Sequence, residues 1–365
     1  MTQPITYAAA GVDLLKEQET VKPLLRWVTQ TFGLGLYPPR LPLGYYANVI
    51  DLGGGQGLAL SADGVGTKLL VAQKVGRYDT VGIDCVAMNV NDLLCVGARP
   101  IALLDYLAIQ DPLPELLEEI GQGLYEGARQ ARVSIPGGEL AQVREMLRGE
   151  REGYGFDLVG MAVGLVPLDR ILIGQEVAEG DRLVGLRSSG IHSNGLTLAR
   201  RVLFEQMGLG VEDRPVELGG KGVGETLLEP TRIYVPEVLE MFEAGLRLKA
   251  LFHITGDGLL NLSRIAAPMG WRIERLPEPP PIFSLIQQGG KIADEEMFQV
   301  FNMGTGFCVA VPPEEVPAIQ EIAARHNVEA FALGRAVRDE ERKVILEERG
   351  LVGQGRRFSR LLATP

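Results

Sequence analysis

The chain alternates between two hydrophobic periods. Val21, Leu24, Leu25, Val28 and Phe32 recur at three- and four-residue intervals, which predicts a helix over 20–32. Pro38, Pro39 and Pro42 then mark irregular chain. Strands are expected over 48–52 and 57–62, separated by Gly53-Gly54-Gly55-Gln56, and a helix over 84–96. A strand over 99–109, a helix over 114–132 and a strand over 157–166 follow. Proline and glycine punctuate 167–180, where we expect a domain boundary, giving segments 1–168 and 169–348. The second segment restarts with a strand over 181–187, a turn at Gly190 and a helix from near Asn194. Further helices are expected over 235–244, 258–266 and 313–326, with strands over 304–311 and 330–336. Glu278-Pro279-Pro280-Pro281 reads as a rigid connector. Residues 349–365 hold four arginines and no acid, and read as a solvated basic tail. Strands alternating with helices predict an α/β or α+β fold.

Composition narrows the function classes. A chain of 365 residues, 46% hydrophobic and 23% charged, is long enough for two cored domains. No apolar run approaches the roughly 18 residues that a membrane helix needs. Met1-Thr2-Gln3-Pro4 opens without a basic region and an apolar stretch, so no secretory signal is expected. A net charge of −11 speaks against a nucleic-acid binder. Cys85, Cys95 and Cys308 fit neither a disulfide framework nor a zinc spacing. They read as small buried hydrophobes in a reducing cytoplasm. The 46 glycines are nearly double the usual share of about 7%, and their clusters are where ligand loops are expected.

Five constellations carry candidate chemistry. In Asp63-Gly64-Val65-Gly66-Thr67-Lys68 a strand ends in a carboxylate, then glycines, then a hydroxyl and an ammonium. That residue set suits a metal and a phosphate: Asp as a hard oxygen ligand, glycine amides and Lys for phosphate. It is not a P-loop, and a tight turn with a surface lysine is the even alternative. On the 84–96 helix, Asp84, Asn91 and Asp92 share a polar stripe among apolar residues, which is costly unless an ion or partner satisfies it. His192, in Ser188-Ser189-Gly190-Ile191-His192-Ser193-Asn194-Gly195, and His253, in His253-Ile254-Thr255-Gly256-Asp257-Gly258, lie in small-residue turns before helices. Such turns suit anion binding and acid–base work. His326 reads as a surface residue. Gly137-Gly138-Glu139 offers a glycine pair positioning a carboxylate, although a turn glutamate is the plainer reading. Thr231-Arg232 offers a phosphate contact or a surface arginine.

From Tyr7-Ala8-Ala9-Ala10-Gly11-Val12-Asp13 to about Ile345, the chain resembles the phosphoribosylformylglycinamidine cyclo-ligase (aminoimidazole ribonucleotide synthetase) family. The motifs are Asp63 to Lys68, Asp92-x4-Gly97-Ala98-Arg99-Pro100, Ser189 to Gly195, Pro230-Thr231-Arg232-Ile233-Tyr234 and Phe301-Asn302-Met303-Gly304-Thr305-Gly306, in that order. The second is shared with thiamine-monophosphate kinase, selenophosphate synthetase and an amidotransferase of the purine pathway, so it marks ATP use. The resemblance implies two α/β domains, with the N-terminal sheets of two subunits joined in a barrel-like dimer core and a C-terminal mixed-sheet domain. It implies ATP-dependent closure of formylglycinamidine ribonucleotide to aminoimidazole ribonucleotide, with Mg²⁺ on Asp63 and Asp92. Gly64, Gly66, Thr67, Lys68, Ser189, Gly190, Ser193, Thr255 and Gly256 would contact the nucleotide. His192, Asn194, His253 and Glu139 would handle protons and orientation. The alternatives are a kinase-like member with another acceptor, or a nucleotide-binding regulator without turnover. Five features depart from the family pattern: Gly44-Tyr45-Tyr46-Ala47 stands where the family often has Gly-Gly-Phe-Gly, Leu140 follows Glu139 where the family has a hydroxyl, 142–155 is longer and more charged than usual, Asp257 stands in a glycine turn, and 349–365 extends past the usual end.

Overall fold

The computed structural model describes residues 5–361; Met1-Thr2-Gln3-Pro4 and the last four residues of the arginine-rich segment lie outside the described residues. The first sheet has strands β1 (Asn48–Gly53), β2 (Gln56–Gly64), β3 (Arg99–Ile109), β4 (Ser134–Gln142) and β5 (Phe156–Pro167), ordered β1-β2-β5-β3-β4. Only the β3–β4 pair is parallel. Alternation along β5 buries every second residue from Phe156 to Val166, the two-residue period of a sheet covered on one face. The first-half helices are α1 (Leu14–Val28), α2 (Lys68–Val75), α3 (Val81–Leu94) and α4 (Pro114–Ala131).

Helix α3 lies on the covered face. Val86, Val90, Leu93 and Leu94 are fully buried there, each stabilising by roughly 1.5–3 kcal/mol. Gly160 lets the helix approach: a Cβ on it would stand 2.6 Å from the Asn89 amide and 3.0 Å from the Cys85 sulfur. The opposite face of the sheet is uncovered and presents Tyr106, Met161 and Leu165. The stripe expected on the 20–32 helix is also unburied. The helix runs over Leu14–Val28, with a 3₁₀ turn over Thr29–Gly33, and Leu24 and Trp27 stand exposed on it.

The second sheet has β6 (Arg182–Arg187), β7 (Ala250–His253), β8 (Met269–Ile273), β9 (Thr305–Val311), β10 (Ala330–Arg338), β11 (Val344–Leu346), β12 (Leu351–Gln354) and β13 (Arg357–Arg360). Their order is β13-β12-β11-β8-β10-β6-β9-β7, mixed through the parallel β8–β11 pair. Its helices are α5 (Leu196–Arg200), α6 (Val223–Leu227), α7 (Val235–Glu243), α8 (Pro281–Gly290), α9 (Asp294–Val300) and α10 (Val316–Arg325). Two sheets with helices between them make the α/β architecture expected from the sequence.

One expectation is corrected here. Residues 349–361 are not a solvated tail: Leu351, Gly353 and Phe358 are buried in the β12–β13 hairpin, an edge of the second sheet. Arg349 and Arg360 reach Asp294 (3.8 Å) and Glu295 (2.8 Å) on α9. The stretch expected as a helix over 258–266 is a 3₁₀ helix, Gly258–Ser263. The three cysteines are free and buried, as read. His326 is half-buried rather than a plain surface residue, with Nε2 2.6 Å from Glu240.

Candidate active site

Helix α3 places two polar clusters, one near each end. At its first turn, Asp84 is wholly buried. The ammonium of Lys68, also wholly buried, lies 2.9 Å from its carboxylate and donates to the carbonyl of Glu229 at 2.6 Å. Asp84 also accepts the backbone N–H (2.7 Å) and the hydroxyl (2.6 Å) of Thr231. Burial pulls the Lys68 ammonium below its usual range, and Asp84 opposes that pull. The pair is kept here by the hydrogen bonds that Lys68 donates and that Asp84 Oδ1 accepts, while Oδ2 has the Lys68 ion pair at 2.9 Å and no hydrogen bond. This latch ties the 63–68 motif to the 230–234 motif. Lys68, expected at the nucleotide, is directed into the core.

At the last turn of α3, Asp92 remains half-buried and has an acidic neighbour. Asp63, at the end of β2, has its carboxyl pushed up to about 6, first by burial and then by the charge of Asp92. The Gly64 N–H, which donates to Asp63 at 2.8 Å, works the other way. Asn89, fully buried between them, holds the backbone of Asp63: its Oδ1 accepts the Asp63 N–H at 2.9 Å and its Nδ2 donates to the Asp63 carbonyl at 3.1 Å. His253 stands behind Asp92, with Nδ1 2.9 Å from Oδ1 and Nε2 3.5 Å from the Asn91 amide, and is wholly buried. Its ring therefore backs a carboxylate rather than facing solvent.

Among the described residues neither Asp63 nor Asp92 forms a lysine or arginine ion pair, and two neighbouring carboxyls left so have the chemistry that suits a divalent cation. Among the described residues no group of three or more His, Cys, Asp or Glu could hold a metal. A pair suits Mg²⁺, which commonly takes one or two carboxylates and completes its shell with phosphate oxygens and water.

The 188–197 loop meets the middle of α3 and the segment that follows β2. Ser193 donates to the Val65 carbonyl at 3.1 Å, Thr197 and Thr67 share a hydrogen bond of 2.9 Å, and Asn194 reaches the Met88 sulfur at 4.0 Å. A Cβ on Gly256 would sit 3.3 Å from Asn194 Oδ1, so the Thr255-Gly256 turn adjoins the same loop. Asp63, Gly64, Thr67, Asp92, Ser193, Asn194, Thr255 and Gly256 are half-buried, and Gly66 and Ser189 are exposed. Gly190 is buried under Asn302, whose amide donates to the carbonyls of Gly190 and Ile191.

His192 is wholly buried, with φ +65, a region that costs a non-glycine residue about 1–2 kcal/mol. Its Nε2 accepts the Ser189 N–H at 3.2 Å, and its Nδ1 has no partner. Burial, then the charges of His253, Lys68 and Arg232, hold the ring well below the usual histidine range, so it is neutral. Gly306 makes room for it: a Cβ there would come within 2.5 Å of the ring and 2.1 Å of the Tyr234 hydroxyl. The 189–195, 230–234 and 301–306 motifs are thus one packed unit.

Glu139 is not part of this cluster. It is exposed on edge strand β4, paired with the exposed Tyr106 on the open face. Asp63, Gly160, Asp105 and Gly138 are the successive register partners across β2, β5, β3 and β4, on the covered face. The carboxylate for which the glycine pair makes room is Asp105, whose Oδ1 would lie 2.3 Å from a Cβ on Gly138. Sequence reading missed Asp105, a lone acid in an apolar strand, and Asn89, an amide off the polar stripe of its helix.

Residues 44–166 match the model for the AIR synthase related protein N-terminal domain, and residues 178–347 that for the C-terminal domain. A Methanocaldococcus jannaschii protein named phosphoribosylformylglycinamidine cyclo-ligase is 46% identical over 91% of this chain and 92% of its own. The Thermococcus kodakarensis protein of the same name is 48% identical over 91% and 96%. Among solved structures, T. maritima PurL complexed with AMPPCP has a TM-score of 0.52 at 18% identity, covering 81% of this chain and 43% of that one; the likeness is one of fold. The chain belongs to the AIR synthase related family.

Proposed function

We propose that the chain closes the imidazole ring of aminoimidazole ribonucleotide from formylglycinamidine ribonucleotide, consuming ATP and releasing ADP and phosphate. The observation that carries this is nearly half identity, over nine-tenths of the chain, to relatives named for that ligase. The neighbouring Asp63 and Asp92 carboxyls, with His253 behind Asp92, support it. ATP supplies the activation: a phosphoryl group on the formyl oxygen turns a poor leaving group into phosphate. The amidine nitrogen then forms the C–N bond, the C–O bond breaks, and the nitrogen sheds a proton.

In this reading Asp63 and Asp92 hold Mg²⁺, which neutralises charge on the ATP phosphates. Asn89 and His253 position those carboxylates. The Gly64, Gly66 and Thr67 segment contacts phosphates, together with Ser189, Gly190, Ser193, Thr255 and Gly256. Lys68 acts through Asp84 by fixing that segment. Asn194, at the half-buried rim, orients the substrate, and neutral His192 supports the turn that presents it. We assign residues 1–168 to ATP binding and dimerisation and 169–348 to the second domain. The apolar face bearing Tyr106, Met161 and Leu165 supports a homodimer, since a protein this acidic has little other reason to expose it. Three buried free thiols support a cytoplasmic site, and among the described residues no helix is long and apolar enough to cross a membrane. Purified protein given Mg²⁺, ATP and the amidine ribonucleotide should release ADP and aminoimidazole ribonucleotide together. ADP release without an imidazole product would sink this reading.

A further inference from the structure

Three features that depart from the family pattern or fall outside the motifs meet in space. Asp257, in the turn after Thr255-Gly256, is nearly buried and holds two arginines. Arg264, from the end of the 3₁₀ helix, gives one Nη2–H to Asp257 Oδ2 at 2.7 Å. Arg356, from the turn between β12 and β13, gives Nε–H and Nη2–H to Asp257 Oδ1 at 2.9 and 2.7 Å. The Arg264 guanidinium lies 5.0 Å from the centre of the Tyr46 ring, whose hydroxyl donates to the Asn261 carbonyl at 3.4 Å. Tyr46 and Asp92 both line a cavity of about 160 Å³, together with Ser61 and Ala62.

Asp257 lies between two guanidiniums, and the Arg264 guanidinium is near enough to Asp92 to feel its charge. Among the described residues Arg264 has one hydrogen-bonded acceptor, so four of its five N–H donors are uncommitted. Burial disfavours its charge, and Tyr46, Asp257 and Asp92 around it favour it. A guanidinium stacked on a ring and tethered at one corner keeps a fixed fork, the arrangement that matches a phosphate.

We propose that Arg264 binds a terminal phosphate group at the Asp92 end of the site, and that Asp257 and Arg356 are positioning residues that hold its fork. The C-terminal hairpin is then a working part of the site. This rests on the ATP-dependent reading above for the identity of the phosphate, which comes from ATP or from the ribose 5-phosphate end of the substrate.

Calorimetry on the full chain separates the sources with two probes, Mg·ATP and ribose 5-phosphate. Arg264→Gln should weaken one probe by about tenfold or more, the loss of a charge-assisted contact. Arg356→Gln should weaken the same probe by about threefold, with ligand-free melting within about 2 °C of the parent for both variants. Should Arg264→Gln fail to fold, Arg264→Lys decides: it keeps the charge but loses the fork, and should still weaken that probe. Weaker Mg·ATP assigns the contact to the nucleotide, and weaker ribose 5-phosphate to the substrate. Unchanged affinity for both probes in a folded Arg264 variant overturns the proposal, as does lowered melting in Arg356→Gln with unchanged affinity. A parent protein that closes no ring, but whose phosphate affinity falls in Arg264→Gln, would refute the function and keep the arginine site.

Discussion

Asp84 and Asp92 stand about two turns apart on one helix, and their surroundings are opposite. Asp84 is sealed in the core and receives Lys68 and both donors of Thr231. Asp92 is half-buried, has His253 as its one side-chain hydrogen-bond partner among the described residues, and has a second carboxylate, Asp63, nearby. A buried charge with its counter-ion and three hydrogen bonds at one oxygen holds structure together; one with fewer partners at a rim suits a ligand. The same residue type on the same stripe thus serves two ends, and the neighbours supplied by distant segments decide which.

The comparison breaks most visibly at the latch. Lys68→Met should cost about 3–5 kcal/mol in urea unfolding, because it strands the Asp84 charge in the core. Lys68→Met with Asp84→Leu should recover much of that loss, since neither charge is then left alone. Full stability in the single variant with weakened ATP binding would instead make Lys68 a phosphate ligand.

Asp92→Asn acts on the other cluster. It keeps the shape and an acceptor for His253 but withdraws the charge that Mg²⁺ requires, so turnover should fall by the equivalent of roughly 3 kcal/mol or more. Ligand-free melting should hold or rise slightly as repulsion with Asp63 disappears. Near-normal ADP release at saturating Mg²⁺ would remove Asp92 from the metal site, and a steep drop in melting would make its role structural.

The crowding can be titrated. Asp63 is raised to about 6 in the folded chain against 3.8 unfolded, so the folded state binds its proton more tightly. The contribution of this one group to stability is then fully present below about pH 4 and is lost as pH rises through 6, by up to about 2 kcal/mol after allowance for partial exposure. Without metal, Asp63→Asn should therefore be more stable than the parent at pH 7 and equal to it near pH 4. A gap that does not change with pH would show that burial and Asp92 do not crowd this carboxyl.

Much of this was legible in the sequence, and the failures have physical causes. The strand over Arg99–Ile109 and the α3 helix follow from periodicity, because each buries one regular face. The loops bearing Asp63, Asp92, His192 and His253 could be found from glycine and small-residue turns. What the histidines face could not: both rings are buried by motifs more than fifty residues away in the chain. Lys68 read as a phosphate ligand because local spacing cannot reveal Asp84 beneath it. The hairpin was hidden by its arginines, whose acids lie on α9 and in the Asp257 turn, although Leu351 and Phe358 carried the buried pattern.

The smallest expected effect concerns Glu139. Neighbouring residues on a strand point to opposite faces, and Gly138 lies in the row with Asp63 on the helix-covered side. Glu139 therefore projects with Tyr106 from the open face, exposed and across the sheet from the carboxylate pair. Glu139→Gln should change Mg·ATP affinity by less than about twofold, within the roughly 0.5 kcal/mol usual for exposed substitutions. Calorimetry measures this, and gel filtration alongside reports whether copies associate through the open face. A large loss of affinity in a monomeric protein would contradict the separation of Glu139 from the Asp63–Asp92 cluster. A large loss of turnover with affinity intact, in a dimer, would mean that Glu139 serves a site completed by the second copy.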